Sequence, residues 1–320
     1  WAYSEVFSGF MIMETDNPTL KRFRRMAWIT IAAVYFLILV GATVRASGSG
    51  MGCPDWPTCF GSWVPPTSEA QLPVNYQEIY AELGYSDTRF NVVKTWTEYA
   101  NRLLGVSIGF LIFLTAIYSW SCRAHDTRIF KASVAAFLMV GFQGWLGSKV
   151  VSSNLLPGMI TIHMLVALAI VGTLLYAVAQ ARRGIMASQS VGNIDQRFGK
   201  WLYIVLGLTV LQVAMGTQVR EMTDFIRESQ GEELRSSWID AMPWFFYVHR
   251  SFSAVVLFTN LWLARLLVMS LGWQHTLSRL TLTMICVIGA AVFSGAALGH
   301  LGMPALVQPT HLLAASLLFG

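Results

Sequence analysis

Apolar residues in this chain come in long unbroken runs, with neither the strict alternation of a strand nor the one-sided stripe of a surface helix. Seven runs, at residues 26–44, 99–120, 130–151, 160–181, 201–219, 245–267 and 280–298, each approach the ~20 residues a helix needs to cross a ~30 Å hydrocarbon core. An eighth begins at Pro309 and reaches Gly320 while still apolar. A spanning segment must satisfy its own backbone hydrogen bonds, and runs of this length do so as helices. The pattern predicts an all-α integral membrane protein with eight transmembrane helices. The short eighth run and the opening Trp1 predict that both ends are incomplete.

Composition agrees with the pattern: 55% of residues are hydrophobic and 12% charged, against roughly 45–50% and about 25% in soluble domains. The net charge of +5 and pI near 9.1 would suit a nucleic-acid partner if the basic residues formed one patch. They alternate by loop instead. Lys21, Arg22, Arg24 and Arg25 precede the first run; Arg123, Arg128 and Lys131, then Arg182, Arg183, Arg197 and Lys200, then Arg265 and Arg279 fill every second connection. Those connections hold 13 basic and 5 acidic residues, and the opposite ones 9 and 12. The bias of cytoplasmic loops toward Lys and Arg places the N-terminus inside, in a bacterial inner membrane or a membrane of the same topology, with lipid as partner and no nucleic acid. Residues 1–20 show no basic segment followed by an apolar core and a small-residue cleavage site, so no cleavable signal peptide is expected.

Two outer loops, 46–97 and 221–244, interrupt the runs, and both follow the same tail, Gly41-Ala-Thr-Val-Arg45 and Gly216-Thr-Gln-Val-Arg220. The shift of 148 residues that carries Asn101-Arg102 onto His249-Arg250 also carries His163 onto His311. A shared offset on separate helices is the signature of a repeated unit. It predicts two pseudo-symmetric four-helix bundles: an N-terminal half, 1–181, and a C-terminal half, 182–320.

His163, His249 and His311 fall in the first turns of even-numbered spans, and Asn101 takes the fourth equivalent place, all near the outer face. Polar side chains at membrane depth are retained mostly where they face the bundle interior and find a partner, and facing helices of bundles supply cofactor ligands. Imidazole pairs ligate haem iron axially, so His249 with His311 reads as a haem site. In the first half Asn101 leaves His163 alone, which predicts haem with an open face, or a site that has decayed. His125 and His275 lie in cytoplasmic loops and read as solvated side chains. Glu98 shares a helical face with Asn101; it reads as a proton donor or acceptor at the reacting edge or as a plain partner of Arg102. Arg45, Arg102, Arg220 and Arg250 recur at outer ends of spans, suited to bidentate carboxylate recognition such as haem propionates, or to interfacial snorkelling. Cys53 and Cys59 bracket Cys-Pro-Asp-Trp-Pro-Thr-Cys on the oxidising side, where a disulfide is plausible, structural or electron-exchanging; the spacing does not match paired zinc ligands. Cys122 and Cys286 read as small apolar residues or free thiols.

These segments resemble the haem A synthase family over nearly the whole chain. The resemblance rests on Gly41-Ala-Thr-Val-Arg-Ala-Ser-Gly-Ser-Gly-Met-Gly-Cys-Pro-Asp-Trp-Pro-Thr-Cys59, Glu98-Tyr-Ala-Asn-Arg102, Gly147-Ser-Lys-Val-Val-Ser-Ser153 with His163, then His249-Arg250 and His311. It implies oxidation of a methyl group of haem O to the formyl group of haem A, for cytochrome oxidase maturation. It further implies substrate haem in the first half with His163 as ligand, haem B in the second held by His249 and His311, and Glu98 as the carboxylate needed for activity. Cys53 and Cys59 match a loop cysteine pair of part of the family. The departure is Asn101, where many members have a fourth histidine, so five-coordinate substrate haem is expected. A haem O synthase as supplier, an electron donor of unknown identity and a homo-oligomer complete the implied partners. The competing readings are a cytochrome b-like electron carrier and a haem-handling assembly factor.

Overall fold

The computed structural model describes residues 17–153, 155–183, 197–231 and 233–320. The expectation that residues 1–20 hold no cleavable signal peptide therefore falls almost wholly outside the described residues. Helices carry the chain: α1 (Pro18–Ala46), α2 (Val92–Trp120), α3 (Thr127–Ser152), α4 (Pro157–Gln180), α5 (Arg197–Gln230), α6 (Trp244–Leu271), α7 (Thr276–His300) and α8 (Val307–Phe319). The first seven are long and apolar enough to cross a membrane, so the protein is an integral membrane protein. The shortest α-helical span, α4 with 24 residues, is about 36 Å long at the ~1.5 Å rise per residue of an α-helix. Helix α8 has 13 residues, about 20 Å on the same rise. No β-strand forms among the described residues; Cys59 and Ser62 make an isolated antiparallel bridge.

Local chemistry sets the helix starts. Asn17 accepts from Thr19 N at 2.9 Å with Pro18 following, Asn91 accepts from Lys94 N at 3.1 Å, and Asp126 accepts from Arg128 N at 2.8 Å, each satisfying a donor that the first helical turn leaves free. The asparagine cap starts α2 at Val92, seven residues before its apolar run, and puts Glu98 and Asn101 well inside the helix. Helix α5 likewise runs past its apolar stretch to Gln230. Its continuation is polar but self-paired: Arg220 meets Asp224 at 2.7 Å and Arg227 reaches the same carboxylate at 3.7 Å, spacings that support a helix. Both outer loops are accordingly shorter than the sequence pattern suggested.

Consecutive helices pack side by side, α1 also contacts α4 and α8, and α5 also contacts α4 and α8. The half of the first four helices farther from the two long loops is an apolar core of Phe23, Ala27, Ile31, Ile112, Ile129, Ala136, Val171 and Leu174, in which the Thr30 and Thr115 hydroxyls pair at 2.8 Å. The two outer loops fold into caps with cores of their own. In the first, Phe60 meets Tyr76, Tyr80, Tyr85 and Phe90 edge-on at 5.5–6.2 Å between ring centres, the arrangement aromatic quadrupoles favour. Burial, with the nearby Glu98 carboxylate, pushes the Tyr85 phenol well above its usual range, and its hydroxyl donates to Met51 O. In the second cap, Trp238 is buried with Ile226, Met242, Phe246 and Met303.

Candidate functional site

Four equivalent positions, one on each even helix, face a glycine of the preceding odd helix. A Cβ added at Gly147 would stand 3.6 Å from His163 Cε1, at Gly216 3.3 Å from His249 Cε1, at Gly295 3.0 Å from His311 Cε1, and at Gly41 3.8 Å from Asn101 Oδ1. Each ring, and the asparagine in the fourth place, thus occupies the space a missing side chain leaves. All four lie at the end of the bundle that carries the caps. His163, His249 and His311 are half-buried. His311 Nδ1 lies 3.0 Å from Ala291 O and 3.0 Å from Ser294 Oγ, which fixes its ring. The Nδ1 atoms of His163 and His249 and the Oδ1 of Asn101 are buried without a partner, unusual for polar atoms out of water.

Glu98 is 4% exposed and bound on both oxygens. Oε2 accepts from Cys53 N at 2.9 Å, and Oε1 accepts from Arg102 Nε at 3.1 Å and Nη2 at 2.5 Å. Arg102 also donates from Nη1 to Asp55 O at 2.6 Å and Thr58 O at 2.9 Å, and from Nη2 to Cys53 O at 3.3 Å. All five guanidinium donors are therefore committed. Cys53 and Cys59 form a disulfide, so the Glu98–Arg102 pair holds the disulfide-bearing turn by its main chain. Gly52 lies so close to the backbone of Lys94 that a Cβ there would collide with it, and Thr95 Oγ1 donates to Gly52 O at 2.8 Å.

A second charged group joins α1 to α5. Arg45 reaches Asp224 at 2.8 Å, Arg220 reaches it at 2.7 Å, and Arg220 Nη2 also donates to Arg45 O at 3.0 Å. With Arg227 at 3.7 Å, one carboxylate serves three guanidiniums, all about a fifth exposed. Arg220 follows Gly216 by one helical turn, and Arg45 stands in the same relation to Gly41. Arg250 is exposed, its guanidinium 5.2 Å from the Tyr247 ring centre.

The structure thus gathers His163, His249, His311 and Asn101 at one end of the bundle, with Glu98, Arg45 and Arg220. It separates Arg102 from the expected carboxylate-binding set, because the cap carbonyls and Glu98 already use its donors. Among the described residues no cluster of three or more His, Cys, Asp or Glu side chains forms. Haem asks the protein for only one or two donors to its iron, so single, separated imidazoles of this kind would fit it. His125 lies far from this site, its Nε2 2.8 Å from Asn17 Nδ2; His300, in the last turn of α7, is exposed. Asp224 escaped sequence reasoning because a single acid in an outer loop carries no pattern.

The sequence profile of the cytochrome oxidase assembly proteins, COX15-CtaA, matches residues 24–320. A protein named haem A synthase from Shewanella oneidensis is 29% identical over 185 residues, 57% of this chain and 53% of its own length. One of the same name from Methylobacterium radiotolerans is 29% identical over 178 residues, 51% and 48% of the two chains. A third, from Alkalihalophilus pseudofirmus, is 29% identical over 144 residues, 45% and 41%. The chain spans about half the length of the curated relatives it matches.

Proposed function

Because this chain belongs to the COX15-CtaA family of cytochrome oxidase assembly proteins, we propose that it is a haem A synthase, oxidising the methyl group of haem O to the formyl group of haem A. The observation that carries this reading is the set of glycine-backed seats at one end of the bundle, three filled by imidazole and one by Asn101. The helix contacts close as two rings of four, α1 to α4 and α5 to α8. They support two four-helix halves, 1–181 and 182–320, with α8 as the eighth member.

His249 and His311 would hold haem B in the second half, and His163 would hold haem O in the first. Asn101, whose uncharged amide is a poor donor to iron, would add no strong ligand beside His163. Haem iron, when bound, supplies the oxygen chemistry for successive hydroxylations of the methyl group. The residues of this chain orient and protect. Arg45 and Arg220, with Arg227, carry more positive charge than Asp224 neutralises, which suits haem propionates, and Arg250 offers a further guanidinium. Glu98 seats the first cap over the site and takes up or releases a proton at its carboxylate. The disulfide turn closes the outer end above it. The caps and seats lie on the outer face and the N-terminus on the cytoplasmic side of a bacterial inner membrane, by the distribution of basic residues between loops.

The test is pigment chemistry on purified protein. Supplied with haem O, reductant and oxygen, it yields haem A and retains haem B; retention of haem B with no conversion would leave an electron carrier or a haem-handling factor.

A further inference from the structure

The apolar stretches of α3 and α5 each carry a glutamine four residues before the glycine that faces a histidine ring: Gln143 before Gly147 and Gln212 before Gly216. Gln143 Nε2 donates to the main-chain oxygen of His163 at 2.9 Å, and Gln212 Nε2 donates to that of His249 at 3.1 Å. A carbonyl only accepts, so the amide nitrogen must face it, and this settles which end of each amide is which. The same two atoms are then left over in both places, buried and without partners: the glutamine Oε1 and the histidine Nδ1. One is an acceptor and the other can donate. Leaving a buried polar group unpaired is costly, and the pair of deficits is repeated on two different helices. At His311 the same helical step is occupied by Ala291, four residues before Gly295, and there the backbone oxygen of Ala291 meets Nδ1 at 3.0 Å. One turn before each ring-facing glycine, then, stands a group that bonds the histidine.

A histidine that binds a metal through Nε2 gives its Nδ1–H to an outer acceptor, which fixes the tautomer, aims the ring and raises its basicity. We propose that Gln143 and Gln212 are positioning residues for His163 and His249: the amide nitrogen already holds the histidine's carbonyl, and the amide oxygen, which bonds nothing in this structure, turns to accept Nδ1–H when haem binds, so that Nε2 is the nitrogen offered to haem iron. Ala291 O has that part for His311. The inference rests on the haem reading above, and it assigns to two residues inside the apolar helices a direct influence on the ligand strength of each imidazole.

The experiment uses the purified full-length protein with its bound haem and two substitutions at Gln212. Gln212→Met keeps the volume and removes both polar ends; Gln212→Glu loses the amide donor but keeps, and strengthens, the acceptor. Loss of the acceptor weakens haem retention by roughly 10–100-fold, the usual effect of removing such a partner, and raises the haem midpoint potential in Gln212→Met. Gln212→Glu lowers that potential, because a stronger acceptor makes the imidazole a better donor to oxidised iron. Packing glue alone would move both variants the same way, since both lose the bond to His249 O. Equal shifts, or potentials unchanged from the parent, overturn the proposal. Should Gln212→Met fail to fold, the direction of the shift in Gln212→Glu decides. Replacement of His249 or His311 by alanine separates the two claims. Haem B retained in those variants overturns the haem site itself, whereas haem B lost there with both Gln212 variants unaltered overturns only the role of the glutamine.

Discussion

Replacing the three ring-facing glycines by alanine tests the seats in a graded way. The added Cβ would stand 3.6 Å from the nearest ring atom at Gly147, 3.3 Å at Gly216 and 3.0 Å at Gly295, against about 3.5–4.0 Å for carbon atoms in ordinary contact. Gly147→Ala therefore asks nothing of His163. Gly295→Ala asks the His311 ring to retreat by about half an ångström from contact closer than that range, away from the two oxygens that hold its Nδ1 at 3.0 Å. Overpacking of this kind costs about 1–3 kcal/mol, which is roughly a 5- to 150-fold loss of haem affinity at about 1.4 kcal/mol per factor of ten. The same change favours the helix by about 0.5–1 kcal/mol, since glycine has more backbone freedom to lose than alanine. The expected result is graded: haem retention falls in the order 147, 216, 295, with 147 near the parent, while the heat stability of the protein freed of haem rises slightly at 147 and falls at 295, where the contact seen without haem is already too close. Haem titration followed by absorbance, with thermal unfolding alongside, reads both. An unaltered low-spin spectrum in Gly295→Ala, or an equal loss at 147 and 295, would refute the idea that these glycines seat the rings.

Three other outcomes are expected. Glu98→Gln lowers haem A formation by roughly 10²–10⁴-fold, the usual share of a positioned proton-transfer group, while total haem stays near the parent; pigment extraction measures both, and normal haem A output would leave Glu98 as an anchor of the cap alone. Asp224→Asn leaves Arg45, Arg220 and Arg227 uncompensated and costs about 3 kcal/mol, the lower end for a buried pair because the groups are partly wet; thermal unfolding in rising salt should show the deficit shrinking, and a salt-independent loss would count against a charge effect. The raised phenol of Tyr85 favours the folded cap fully below the ordinary tyrosine range and loses that contribution above about pH 10, where the unfolded chain ionises first. Protease accessibility of the first cap should therefore rise in alkali, and an alkaline profile left unchanged by Tyr85→Phe would assign the effect to another group.

The membrane spans were legible in the sequence because apolar runs and helix length answer to the same bilayer. The three histidines that face glycines at one end of the bundle were legible as a set because imidazole is rare at such depth and recurs at one offset. Helix ends were less so: Asn91 starts α2 seven residues early through a side-chain cap, and the ion pairs of Arg220, Asp224 and Arg227 carry α5 about ten residues past its apolar stretch, where hydropathy no longer reports. For Arg102 the sequence left two readings, a propionate clamp or a partner of Glu98, and the structure shows the second. Its position at the outer end of a span suits an anion, yet which partner it takes depends on where the cap folds back. Gln143 and Gln212 were missed outright. Each looks like a lone polar interruption of an apolar run, and only the shared spacing of four residues to Gly147 and Gly216, seen on two helices at once, marks them.

Gly41 is the feature with the longest reach. It still leaves Asn101 a clearance of 3.8 Å, wider than any of the three imidazoles enjoys, although no ring stands there to need it. The mould for a fourth histidine has therefore outlived, or preceded, its casting. Asn101→His would fill it without rebuilding the backbone, and on the haem A synthase reading proposed above the first half would gain a second imidazole to hold its substrate haem. Such a variant should hold haem more tightly and turn it over more slowly. Asparagine at this place would then be a setting that trades grip for reactivity, reversible by one codon.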